Sequence, residues 1–232
     1  MTEIVKAERR HFSDIGWLQS YWLFAFSDYH DPQNVRFGSL RVFNDDIIAP
    51  GTGFPMHPHR EMEIVTLVLR GEMTHQDSMG NRAVIRAGDV QRMSAGSGLT
   101  HSEHNLGTEP VHIYQIWIFP ERKGLTPSYD QRTFDPADWR NRLRPVASGR
   151  GDAGAVTLHA DAVIHRCNLD AGHVVTHEVA ADRRIFVYSK TGSLLVDGRE
   201  MDANDQARID AAGILAIAAR ERAEFVLIDV PA

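Results

Sequence analysis

Two short clusters dominate the chemistry open to this sequence: His57-Pro58-His59 and, further along, His101-Ser102-Glu103. In an extended strand, side chains alternate between faces, so positions i and i+2 point the same way. His57 would then share a face with His59, and His101 with Glu103. If the two strands line one small barrel, three imidazoles and a carboxylate converge. That donor set suits a borderline divalent cation such as Fe, Mn, Co, Ni, Cu or Zn. Three or four protein ligands on a six-coordinate ion leave positions open for substrate. A lone His-x-His is a weak signal, but two such pairs in strand-rich sequence make a strong one.

Other polar residues could orient those imidazoles. Glu63 lies four residues beyond His59, and His75, Asp77, Asn105 and Gln115 are further candidates. Each reads more readily as a solvated or turn residue. His104 has the opposite parity and should face away. His11, His30, His112, His159, His165, His173 and His177 show no pairing and read as structural or surface residues. Cys167 is the only cysteine, which excludes an intrachain disulfide and any multi-cysteine metal site. A small buried apolar role suits it better than a redox one.

Strands must position these groups. Helix signals are few; Asp14–Phe26 concentrates aromatic residues and ends at the turn signal Asp28-Tyr29-His30-Asp31-Pro32. Beyond it, short apolar runs alternate with turn residues: Ser39–Phe43 before Asn44-Asp45-Asp46, Ile64–Leu69 before Gly71, and Val111–Phe119 before Pro120. Gly80-Asn81 reads as a hairpin turn between Met73–Asp77 and Arg82–Ile85. Many short strands without intervening helices predict an all-β sandwich or barrel. The character changes from about residue 121, where prolines, glycines and a charged run suggest a linker carrying one short helix. Strands resume near residue 156. Gly71 and Gly192 each close a strand, and Asp89–Gly96 aligns in character with Asp205–Gly213, a faint internal repeat. A duplicated β-barrel explains it.

The 232 residues suit one large domain or two small ones. With 25 Lys+Arg against 31 Asp+Glu, the net charge is -6, which argues against direct nucleic-acid binding through phosphate neutralisation. No segment approaches the roughly 20 apolar residues of a membrane-spanning helix. No apolar signal-peptide core is visible at the N-terminus, so a cytoplasmic location is expected.

The motifs resemble a known family. Gly51-x5-His57-Pro58-His59-x3-Glu63-x7-Gly71 resembles the first cupin motif with one extra residue. Gly88-x5-Ser94-Ala95-Gly96-Ser97-Gly98-Leu99-Thr100-His101-x3-Asn105 resembles the second. It carries Ser94 where many cupins have proline and two additional residues before His101, departures typical of pirins. Gly16-Trp17-Leu18, Tyr29–Pro32, Leu40–Asp46, His75–Asn81 and Tyr114–Trp117 are also pirin-like. The resemblance implies an all-β bicupin: two jelly-roll β-barrels face to face with a short helical linker. The implied units are a metal-binding N-terminal cupin over 1–130, a linker over 131–155 and a degenerate C-terminal cupin over 156–232.

The family's ligand positions fall on His57, His59, His101 and Glu103, in agreement with the parity reading, and Glu63 is not the metal carboxylate. The second half offers no counterpart, because Ile214–Ala219 carries no His or Glu and His173 and His177 are four apart. One divalent cation is implied, iron foremost. The activity implied is that of a quercetin 2,3-dioxygenase, opening a flavonol with O2 and releasing carbon monoxide. Glu103 would serve as general base as well as ligand. A natural substrate other than quercetin, some other enol or catechol, is equally compatible with an open metal. The competing implication is a metal-dependent regulatory protein of pirin type, a transcriptional co-regulator or modulator of another enzyme.

Overall fold

Runs that are apolar on both parities, such as Ile64-Val65-Thr66-Leu67-Val68, are buried on both faces, as befits strands sandwiched between two layers. The computed structural model describes residues 1–232 and is almost wholly β. Its first twelve strands are β1 (Thr2–Val5), β2 (His11–Asp14), β3 (Leu18–Trp22), β4 (Leu40–Ile48), β5 (Thr52–His59), β6 (Glu63–Arg70), β7 (Glu72–Asp77), β8 (Arg82–Arg86), β9 (Asp89–Ser94), β10 (Leu99–Asn105), β11 (Val111–Ile118) and β12 (Ser128–Thr133). The remainder are β13 (Arg144–Ser148), β14 (Val156–Thr157), β15 (Val163–Leu169), β16 (Val174–Val179), β17 (Arg183–Thr191), β18 (Leu194–Val196), β19 (Arg199–Met201), β20 (Gln206–Ile209), β21 (Gly213–Ala219) and β22 (Ala223–Pro231).

The internal repeat is visible in the sheets. One barrel joins the seven-stranded sheet β12-β9-β6-β11-β4-β3-β2 to the four-stranded sheet β5-β10-β7-β8. The other joins β1-β20-β17-β22-β15-β13-β14 to β16-β21-β18-β19. The small sheets repeat one order of strands along the chain. Residues 2–5 open the chain yet pair with β20 in the second barrel.

The two large sheets face each other across one shared core. Val65, Leu67, Tyr114 and Ile116 of the first pack in the same cluster as Phe186, Tyr188, Val226 and Ile228 of the second. Phe43 sits within it, 5.4 Å from Phe186 and 4.9 Å from Tyr188 between ring centroids. Asp45 fastens the seam: it accepts from Tyr188 Oη at 2.8 Å and bonds His112 Nε2 at 2.6 Å.

Two expectations need correction. The linker helix is a single 3-10 turn over Pro136–Trp139, capped by the Asp135 carboxylate on Ala137 N–H, and the flanking segments are strands β12 and β13, one in each large sheet. Asn44-Asp45-Asp46 is no turn. It lies in the middle of β4 and is buried: Asp45 meets Arg10, His112 and Tyr188, Asp46 meets Ser20, and Asn44 lines a cavity. The Gly80-Asn81 hairpin forms as expected, with Asp77 Oδ1 accepting from Met79 N and Asn81 N.

Candidate metal centre

β5 and β10 are antiparallel neighbours with His101 directly opposite His57 and Leu99 opposite His59. Strand alternation turns the three imidazoles to one side, where their ring centroids lie 4.4–4.9 Å apart. Their ligating nitrogens fall within 4.8 Å of one another. A bulge between His101 and Glu103 shifts the register. On its other edge β10 pairs with β7, which sets Glu103 against His75 and His101 against Asp77. A second grouping of donors within 4.8 Å therefore comprises His75, His101 and Glu103. The four sequence-predicted ligands are divided between these groupings, and His101 belongs to both.

The electrostatics suit a cation. His101 is buried and neither of its ring nitrogens has a hydrogen-bond partner, an expensive state for a polar ring unless something else is bound. Burial, then the neighbouring imidazoles His57 and His75, pushes His101 down to about 3. Burial, then His101 and His57, pushes His59 down to about 4. Both rings are neutral near pH 7 and hold free lone pairs. His57 Nδ1 donates to Pro55 O at 2.7 Å, which fixes its tautomer and leaves Nε2 as the available donor atom. Three imidazoles with a buried carboxylate nearby fit a borderline divalent metal.

Glu103 is held from both sides. Gln115 Nε2 donates to Oε2 at 3.1 Å and Gln91 Nε2 to Oε1 at 3.3 Å. Thr66 Oγ1 donates to Gln115 Oε1 at 3.1 Å, orienting that amide so that its N–H groups face the carboxylate. His75 is fully buried, with Nε2 bonded to Asp77 Oδ2 at 3.0 Å and Nδ1 unpartnered.

The other sequence candidates disperse. Glu63 faces the seam between barrels, where Oε2 accepts from His159 N at 3.0 Å. Asn105 ties a loop through the Ile48 and Glu109 carbonyls. Cys167 is buried in the second barrel's apolar core, its thiol pushed up to about 12 by burial.

A cavity of about 580 Å³ opens over the three histidines and Glu103, within the usual size range of small-molecule sites. Trp17, Trp22, Phe26, Phe54 and Trp117 supply its apolar walls. Phe26 stands edge-on to both Trp22 and Trp117, each at 5.4 Å, and Trp117 edge-on to His59 at 4.9 Å. Ser20, Asn44 and Asp46 line it with polar groups. Sequence reasoning missed these three together with Thr66 and Gln91. The signal was present as polar residues flanked by apolar neighbours on both sides, Phe43 before and Ile47-Ile48 after.

The second barrel is built otherwise. The β16–β21 register sets His177 opposite Leu215, where the first barrel has His57 opposite His101. Val175, Val179, Leu215 and Ile217 fill the interior as part of a packed apolar cluster. His177 instead bonds Asp229 Oδ2 at 3.0 Å.

Comparison with known proteins gives a consistent result. Residues 5–118 match the Pirin family and residues 145–230 the quercetinase C-terminal cupin domain. A pirin-like protein of Caulobacter vibrioides is 44% identical over 218 residues, 94% of each chain. The quercetin 2,3-dioxygenase of Escherichia coli K12 is 40% identical over 232 residues, covering 100% of this chain and 99% of that one. The crystal structure of YhhW from Escherichia coli matches with a TM-score of 0.95 at 40% identity, covering 100% of this chain and 98% of that one. The nickel(II) complex of that bacterial pirin matches at 0.94 and 39% identity, covering 100% and 99%. This chain belongs to the pirin family.

Proposed function

We propose that the chain is a metal-dependent dioxygenase that opens a flavonol of the quercetin type with O2 and releases carbon monoxide. The observation that carries this reading is the cluster of His57, His59 and His101, whose His101 is shared with a second donor group containing the buried carboxylate Glu103, beneath an aromatic-walled cavity. The 40% identity to a quercetin 2,3-dioxygenase across the whole chain supports it. His57, His59, His101 and Glu103 would hold one divalent cation. Iron stands foremost, and the nickel(II) complex of the Escherichia coli relative supports a divalent ion of this type. When bound, such an ion supplies Lewis acidity that lowers the pKa of an enolic hydroxyl.

The chain's own residues do the rest. Glu103 accepts the hydroxyl proton as the flavonol binds, so that the substrate is held as its anion. Gln91 and Gln115 keep that carboxylate from rotating away. Trp22, Phe26 and Trp117 cover the flat rings and exclude water. The test is O2 uptake and loss of flavonol absorbance by metal-loaded protein, with carbon monoxide trapped from the headspace. Stoichiometric consumption supports the reading. No turnover with any first-row divalent metal overturns it.

A further inference from the structure

The polar wall of the cavity is not needed to hold an ion. Ser20 on β3 stands directly opposite Asp46 on β4, and Asn44 on β4 directly opposite Gln115 on β11. All three of Ser20, Asn44 and Asp46 are more than nine-tenths buried, and all line the cavity. Ser20 Oγ donates to Asp46 Oδ1. Asn44 Oδ1 has no partner at all. A buried amide oxygen without a donor is costly in an otherwise satisfied interior, so a cavity ligand bringing a hydroxyl is the natural source of one.

We propose that Ser20, Asn44 and Asp46 form a hydroxyl-recognition subsite, which makes the preferred ligand a planar aromatic bearing phenolic or catechol hydroxyls on the ring directed away from Glu103. The assignment rests on the flavonol reading above and names the substrate class within it. Asn44 is one strand spacing from Gln115, ~5 Å, and Asp46 lies two residues further along, ~7 Å. Asn44 thus lies one strand over from the Gln115 that holds Glu103, on the cavity wall it shares with Asp46 and Ser20. Burial, opposed by the Ser20 hydrogen bond and reinforced by Asp45 and Glu103, brings the Asp46 carboxyl up to about 7. Asp46 can accordingly present either a donor or an acceptor to a ring hydroxyl. Trp22, also on β3, places an aromatic face beside the same wall.

The test is anaerobic equilibrium binding to the metal-loaded protein, read by tryptophan fluorescence. Two flavonols are compared: quercetin, with two hydroxyls on its pendant ring, and galangin, with none. Free 4-methylcatechol serves as a third, metal-independent probe on protein stripped with chelator. Wild type should bind quercetin about tenfold more tightly than galangin, the loss expected for one or two hydrogen bonds. Asn44→Leu, of similar volume, and Ser20→Ala should each erase most of that preference while leaving galangin affinity unchanged. Equal affinities in wild type, or equal losses for both flavonols in both variants, overturn the subsite and leave the flavonol reading intact. Catechol binding that depends on Asn44, with neither flavonol bound, upholds the subsite and overturns the flavonol reading. Binding of none of the three probes overturns both.

Discussion

His57 and His101 stand directly opposite one another on adjacent antiparallel strands, with ring centroids 4.4 Å apart. A buried ring with two unpartnered nitrogens, as in His101, is at home beside an ion. His101→Ala should therefore abolish stoichiometric metal uptake, measured by elemental analysis after loading and desalting. His104→Ala, one residue from Glu103 but only half-buried on the other face, should retain full uptake. Loss in both variants would point to a folding defect instead.

The carboxylate depends on its neighbours. Gln115→Leu removes the donor to Glu103 Oε2 and the nearer of the two acceptors of the Thr66 hydroxyl. Loss of an orienting contact of this kind costs about 10–100-fold in metal affinity. A competition titration against a chelator measures it. An unchanged dissociation constant would show that Glu103 needs no such support.

Metal and stability are linked. An ion bound only by the folded chain adds about 2.7 kcal/mol when present at 100 times its dissociation constant. Stripping the protein with chelator should therefore lower the unfolding midpoint, and re-adding a divalent first-row metal should restore it. Identical midpoints would argue against a built site.

The strand-borne pairs were legible in the sequence because a period of two is a rigid geometric rule. His57 with His59 and His101 with Glu103 needed only that rule and one shared cavity. The Asn44-Asp45-Asp46 run misled for the opposite reason. Acidic residues ordinarily mark turns, and only the tertiary fold reveals Arg10 and Tyr188 near Asp45, Ser20 beside Asp46 and a cavity beside Asn44. The sequence alone favours a solvated or turn position for His75 over one that orients the imidazoles. Its partner Asp77 is two residues away, but the burial of the pair follows from β10 lying alongside β7. The apolar run Ile214–Ala219 carries no His or Glu, and Leu215 and Ile217 pack in the second barrel's buried cluster.

The seam between barrels should behave as one core. Phe43→Ala removes a fully buried ring that touches Tyr114, Phe186 and Tyr188. The expected cost is about 3–5 kcal/mol, read as a lower denaturant midpoint. Separate unfolding transitions of the two barrels in the wild type would contradict a shared core.

Acid should destabilise the second barrel through His165. Burial, then His177, lowers this imidazole from 6.5 to about 4. Between those values the unfolded chain binds the proton and the folded chain does not, so stability falls as pH drops from about 6.5 to 4. The loss attributable to this group approaches about 3 kcal/mol. His165→Gln should flatten that part of the pH–stability profile. A profile parallel to wild type would exclude His165 as its source.

In the proposed centre one ion sits among four side chains of the first barrel. Diffraction from metal-loaded crystals, collected at the metal's absorption edge, tests it most directly. A single anomalous peak with bonds of ~2.0–2.2 Å to His57, His59, His101 and Glu103 is the expected result. A loaded protein whose peak lies elsewhere, or that shows none, contradicts it.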